Sequence, residues 1–178
     1  MAIELDEIDV QLLTELQLDA DRTNQELARL VGLSPAATLH RIRRLKQSGV
    51  IRVVAARLDP TAVGLSLHVF VTATLAQNEP RATRRFVDAI QATPQVVAAD
   101  WVAGETDVLL RIVARDVAEL QGVLTRLATR GGQRLTTLLQ LEEIKPVSPL
   151  PLVAGVQRQP RRRPTRVGRR SPTVTTDG

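Results

Sequence analysis

"NQELARLVGLSPAATLHRIRRLKQSGVI", residues 24–51, is the stretch on which the fold turns. Leu27, Leu30 and Val31 recur at helical spacing, and Asn24 is placed to cap the short helix they define. Gly32 supplies the left-handed residue that ends such a helix. Ser34 then caps a second helix, and Pro35 falls at its first position, where a missing N–H costs nothing. That helix runs to about Ser48, and Gly49 stops it. Upstream, "DEIDVQLLTELQL" (residues 6–18) sets Ile8, Leu12, Leu13 and Leu16 on one side of a further helix, with Asp6 as its cap. Three short helices, the last two joined by a tight glycine turn, form a helix-turn-helix, which sets the third helix in the major groove of duplex DNA.

The third helix must then present two faces. At about 100° per residue, Leu39, Ile42 and Leu45 share an apolar side. Ala36, Ala37, His40, Arg44 and Gln47 point away from it, with Arg41 flanking them. Small residues at 36 and 37 permit close approach and contact with thymine methyl groups. Arg41 and Arg44 have the reach for guanine or phosphate. Arg43 and Lys46 suit phosphate, which positions a protein on DNA without specifying sequence. Ser34 and Thr38 complete the expected DNA-facing set. A basic helix face is often only a solvated face. Charge distribution argues for more: residues 1–21 carry seven acids and no base, whereas residues 22–57 carry eight Arg or Lys and one Glu. The net charge of +5 is concentrated there and in residues 153–178, with seven Arg and one Asp, while residues 58–152 are near neutral. Such asymmetry points to a polyanionic partner.

Composition excludes other classes. The chain has no Cys and two His, so disulfides, thiolate metal sites and cysteine nucleophiles are ruled out and no metal or cofactor is expected. Two Phe, one Trp and no Tyr leave little for a base-stacking platform, which favours duplex over single strands. The acidic start carries no secretory signal, and no apolar run approaches the roughly 18 residues of a membrane span. A cytoplasmic protein without membrane contact is expected.

Beyond the third helix, "VIRVVAARL" (residues 50–58) is rich in β-branched residues and predicts a strand. "DPTAVG" reads as a turn. The chain continues as strand 66–75, helix 80–92, strand 96–103, strand 107–114, helix 116–128 and strand 134–144. This is βαββαβ, the ferredoxin-like order, with "GET" closing the central hairpin. The predicted class is therefore α+β, divided into a helix-turn-helix domain (1–50), a linker strand and turn (51–65), a ferredoxin-like domain (66–152) and a disordered Arg/Pro-rich tail (153–178).

Residues 1–152 resemble the leucine-responsive/asparagine regulator (Lrp/AsnC, feast/famine) transcription factors. The resemblance rests on the Leu-Asp-x-Ile-Asp start at 5–9, Gly-Leu-Ser-Pro at 32–35, the Arg-x-x-x-Leu-x-x-x-Gly-x-Ile exit at 41–51, "DWVAGETDVLL" (100–110) and "TLLQLEEIK" (137–145). It implies a winged-type helix-turn-helix followed by a regulatory domain, and dimers that pair through their sheets and often assemble into tetramers or octamers. It also implies a small effector, typically an amino acid, bound between regulatory domains. The family's Gly-x-x-Asp loop corresponds to Gly104, Glu105, Thr106 and Asp107, with loop amides suited to a carboxylate and Asp107 suited to an α-ammonium group. The family's strand threonine corresponds to Thr137, with Thr136 at a more variable position. Trp101 departs from the family pattern and reads either as a residue reshaping that pocket or as a large core filler.

Two other functions compete with a sequence-specific regulator. An architectural, nucleoid-like binder would draw on the Arg-rich tail. Sirohaem decarboxylases resemble the same family, but they carry His-rich and Tyr-rich segments where this chain reads "VVAADWVAGETDVLLRIVA" (96–114). No nucleophile has a base in reach, and the chain is not expected to be an enzyme.

Overall fold

The computed structural model describes residues 4–75 and 79–155. They form two compact units, one comprising residues up to Val54 together with the segment from Val147, the other Ala55–Pro146.

The first unit contains α1 (Glu7–Leu18), α2 (Asn24–Leu30) and α3 (Pro35–Gln47). Each start is fixed by a side chain. Asp6 and Asp9 form a reciprocal capping box on α1, and Ser34 Oγ accepts from Ala37 N–H at 3.2 Å on α3. The cap of α2 is Thr23, not Asn24: Thr23 accepts from Glu26 N–H while the Glu26 carboxylate accepts from Thr23 N–H. Asn24 is released for another bond, donating from Nδ2 to the Pro35 carbonyl at 2.7 Å and so tying α2 to the start of α3. Gly32 takes a φ of 67°, the left-handed turn the sequence requires. Leu12, Leu27, Val31 and Ile42 make the core, with Ile8, Leu16, Leu33 and Ile51 against it.

Two expected core positions are displaced. Leu30 and Leu39 are exposed, and Ala28 and Thr38 are buried instead. The α3 stripe is thus Thr38, Ile42 and Leu45. Residues 147–152, expected in the ferredoxin-like domain, and 153–155, expected in the tail, lie with this unit: Leu150 exchanges two hydrogen bonds with the Gln17 amide, and Gly155 N–H donates to the Leu5 carbonyl at 3.0 Å. The tail expected from residue 153 falls, from 156 on, outside the described residues.

The second unit runs β1 (Leu67–Leu75), α4 (Pro80–Gln91), β2 (Val96–Trp101), β3 (Val108–Ala114), α5 (Val117–Thr129) and β4 (Gly132–Leu139). The sheet order is β2-β3-β1-β4, antiparallel throughout. This is the predicted βαββαβ fold. Burial along β1 alternates: Val69, Val71, Ala73 and Leu75 face the helices. They pack with Leu110 and Ile112 of β3, Phe86 of α4, and Val123 and Leu127 of α5. Phe86, not Trp101, is the large aromatic filler. At Gly131, with φ of 123°, a Cβ would meet the Ala82 carbonyl at 2.8 Å, so the turn into β4 can sit against α4 only because no side chain is there.

The predicted strand at 50–58 does not form. Residues 52–59 have no regular structure, and Val53, Val54 and Leu58 are exposed. β-Branched residues favour strands only where a neighbouring strand supplies a ladder, and no described strand pairs with this segment. The same cause shortens β4, expected to reach 144. Its partner β1 begins at Leu67, the last ladder bond is Gln140 N–H to the His68 carbonyl, and Leu141 and Ile144 are exposed.

Candidate nucleic-acid interface

α3 turns its buried stripe inward and leaves Ala36, Ala37, His40, Arg43, Lys46 and Gln47 exposed, with Ser34 at its start. Thr38 does not belong to this surface. It is fully buried and its hydroxyl donates to the Ser34 carbonyl at 3.1 Å. Arg41 and Arg44 are also not free. Arg41 Nη1 donates to Asp6 Oδ2 at 2.6 Å and to Asp9 Oδ1 at 2.9 Å, and Arg44 Nη2 donates to Asp9 Oδ2. The Asp9 side chain has no exposed surface, whereas the arginine side chains remain 25% and 41% exposed. Burial pushes the Asp6 carboxyl up, but hydrogen bonds from Arg41 and from Asp9 N–H, with the Arg41 and Arg44 charges, outweigh it and hold Asp6 below the usual carboxylate range.

The acids of α1 are therefore counter-charges that anchor α3. They orient it through two of its own guanidinium groups and leave Arg43 and Lys46 as its outward cations. Sequence reasoning missed Asp9. The signal was present: Asp9 lies on the same helix face as Leu12, Leu13 and Leu16, where an acid is buried only if it is paired.

In the second unit, the 102–107 loop joins β2 to β3. Val102 N–H donates to the Asp107 carbonyl, and Asp107 N–H to the Ala73 carbonyl, both at 3.0 Å. Asp107 Oδ2 accepts from Leu75 N–H at 2.8 Å. Asp107 thus pins the hairpin to the end of β1, with one carboxylate oxygen committed to the fold. Gly104 has a φ of 148°, in the region that favours glycine, Glu105 is exposed and Thr106 half-buried. Thr136 and Thr137 are adjacent on β4 but point to opposite faces: Thr136 pairs with Thr72 on the open face, Thr137 with Val71 on the helix-covered face. Asp107 precedes Val108, which pairs with Ala73 on the other side of β1. The loop and the threonines therefore share one end of the sheet, separated by two strand spacings, about 10 Å. Trp101 is 61% exposed and lines a cavity of about 290 Å³ with Val87, Ile90 and Gln91, so the core-filler reading does not hold.

A winged helix-turn-helix DNA-binding model matches residues 5–52, and an Lrp/AsnC ligand binding domain model matches residues 68–150. The leucine-responsive regulatory protein of Rhizobium meliloti is 37% identical over 145 residues, covering 80% of this chain and 93% of the relative. The chain belongs to the Lrp/AsnC family of transcriptional regulators. The HTH-type transcriptional regulator AldR of Mycolicibacterium smegmatis is 38% identical over 120 residues, 67% of this chain and 70% of that protein. A transcriptional regulator from Neisseria meningitidis, solved in complex with L-Met, superposes with a TM-score of 0.77 at 32% identity over 83% of this chain and 96% of its own. Within the Lrp/AsnC frame, α2 and α3 are the helix-turn-helix of the DNA-binding unit, and the βαββαβ unit is the ligand-binding domain. Among the described residues, no helix is long and apolar enough to cross a membrane.

Proposed function

We propose that this Lrp/AsnC regulator reads duplex DNA in a sequence-specific manner with the first half of α3 and is tuned by an amino-acid effector at the 102–107 hairpin. The observation that carries the reading is the division of labour on α3: Thr38, Ile42 and Leu45 inside, Arg41 and Arg44 bound to α1, and a shallow polar face left outside. Ala36, Ala37 and His40 meet base edges, while Ser34, Arg43 and Lys46 hold phosphates. The effector's carboxylate takes the amides of Gly104–Thr106, and its ammonium takes Asp107 Oδ1 with help from Thr136 or Thr137. The L-Met complex of the Neisseria meningitidis regulator supports an amino acid as the effector class. A homodimer pairs through the open sheet face, where Phe70 and Leu138 lie with Arg111 over the Phe70 ring at 5.5 Å, and larger assemblies are tetramers or octamers. The protein acts in the cytoplasm and performs no catalytic step. Dimers meet half-sites one helical turn apart, about 34–36 Å.

Band shifts with the protein's own promoter region and a random duplex, at physiological salt, test the first part; equal affinity for both refutes sequence-specific reading. A thermal-shift screen of the standard amino acids tests the second. Asp107→Ala is expected to abolish the response of DNA binding to the amino acid found, and an unchanged response removes Asp107 from the site. An architectural DNA binder is the competing reading, favoured by the seven Arg of residues 156–178.

A further inference from the structure

The outer, helical side of the regulatory unit carries a groove that neither DNA reading nor the hairpin uses. It lies between α4 and α5, has a volume of about 670 Å³, and is lined by Arg85, Asp88, Thr93, Gln95, Arg126 and Arg130 among others. That volume falls within the range of small-molecule sites, about 300–1,000 Å³. Arg126, in the last turn of α5, and Arg130, its C-cap, stand four residues apart. Both are exposed, and neither meets an acidic side chain among the described residues. Arg85, from α4, gives one Nη to Glu79 at 3.2 Å.

Acceptors accompany these donors. Gln95 Nε2 donates to Glu119 Oε1 at 2.8 Å, which fixes the amide's orientation because a carboxylate can only accept. Gln95 Oε1 is left buried with no hydrogen-bond partner. That oxygen has no accessible surface, so it belongs to the groove's wall and not to its contact surface. Asp88, exposed on α4, adds a carboxylate. The groove therefore offers three guanidinium groups and an acid. A DNA backbone matches only half of this pattern, since its phosphodiesters accept and do not donate. A small molecule bearing both a phosphate and hydroxyl groups matches all of it.

We propose that the α4–α5 groove binds a phosphate ester of a polyol, of the sugar phosphate or nucleotide class, with Arg85, Arg126 and Arg130 on the phosphate and Asp88 accepting from its hydroxyls. The site is separate from the hairpin. Gln95 precedes β2 and the 102–107 loop follows it, which puts the six residues Val96–Trp101, about 20 Å of strand, between them.

Calorimetric titration of the full-length protein with ribose 5-phosphate, ADP and inorganic phosphate tests the assignment. Ribose 5-phosphate and ADP are expected to bind more tightly than inorganic phosphate. The Arg126→Gln/Arg130→Gln protein, altered only at exposed positions, should lose about tenfold or more of that affinity. Asp88→Asn should weaken ribose 5-phosphate without weakening inorganic phosphate. The proposal is overturned if neither ester binds at about 10 mM, far above the range of ordinary metabolite sites. Wild-type affinity in the double variant also overturns it, since the esters then bind elsewhere. Equal binding of ester and inorganic phosphate leaves a plain anion site and removes the hydroxyl acceptor. If the double variant loses affinity only for a random duplex, the face belongs to DNA. None of these titrations involves an amino acid or the promoter, so their outcome is independent of the regulator reading.

Discussion

Asp9 has no exposed surface, yet it decides which cations of α3 are available to DNA. A buried carboxylate between two guanidinium groups is tolerated because both charges and several lone pairs are met. Replacing it leaves Arg44 without its counter-charge while Arg41 keeps Asp6, and both guanidinium groups can turn partly to water. Asp9→Asn is therefore expected to cost about 3 kcal/mol, the low end for breaking a buried pair, measured by urea denaturation. It should also relax discrimination between operator and random duplex, because α3 loses its fixed orientation. Stability loss with discrimination intact would confine Asp9 to a structural role. Arg43 and Lys46 should behave oppositely. Alanine at either leaves stability within about 0.5 kcal/mol, weakens binding to every sequence alike and lowers the salt slope by about one contact. The Ser34 cap, the Pro35 start and the Ile42 and Leu45 stripe were legible because each follows from a local rule. The exchange of Leu39 for Thr38 was not. A threonine hydroxyl reads as outward-facing until its partner is known, and that partner, the Ser34 carbonyl, lies one turn back.

The βαββαβ order was legible because β1 alternates with period two and α4 and α5 carry apolar faces at helical spacing. Element ends were less legible, since they depend on partners distant in sequence: β4 stops where β1 begins, and 50–58 has strand composition but no ladder. The junction between β3 and α5 shows how one side chain sets such an end. Glu119 accepts from Arg115 N–H at 2.8 Å, from Arg115 Nε at 3.0 Å and from Gln95 Nε2 at 2.8 Å, joining the first turn of α5 to the approach to β2. Those bonds, the backbone one foremost, lower its pKa from 4.5 to about 2. A folded pKa below the unfolded one means that the unfolded chain takes up the proton first as pH falls. The stabilisation from Glu119 is complete above about 4.5 and is lost progressively towards 2. Denaturant midpoints followed from pH 6 to pH 3 should therefore fall less steeply in Glu119→Gln than in the wild type. Parallel slopes would show that Glu119 contributes no pH-dependent stability.

Across the whole chain, the positive charge of the DNA-binding unit is smaller in effect than its sequence suggests. Residues 22–57 carry eight bases, but Arg22, Arg41 and Arg44 face acids of the N-terminal segment. Much of the +7 on that segment is offset by the −7 that precedes it. The largest block of cations without nearby acids in sequence is then the seven Arg of residues 156–178, opposed by Asp177 alone. Each phosphate neutralised on duplex DNA contributes about −0.9 to the slope of log affinity against log salt. A chain ending at Gly155 should therefore show a shallower slope by several contacts and weaker binding to random duplex. Its preference for promoter over random DNA should remain, because the proposed reading places discrimination in Ala36, Ala37 and His40 and in the anchoring of α3 to α1. Band shifts of the shortened chain over a series of salt concentrations measure both quantities at once. Loss of the promoter preference together with the slope would transfer specificity to the tail and favour the architectural reading, in which α3 contributes little beyond charge.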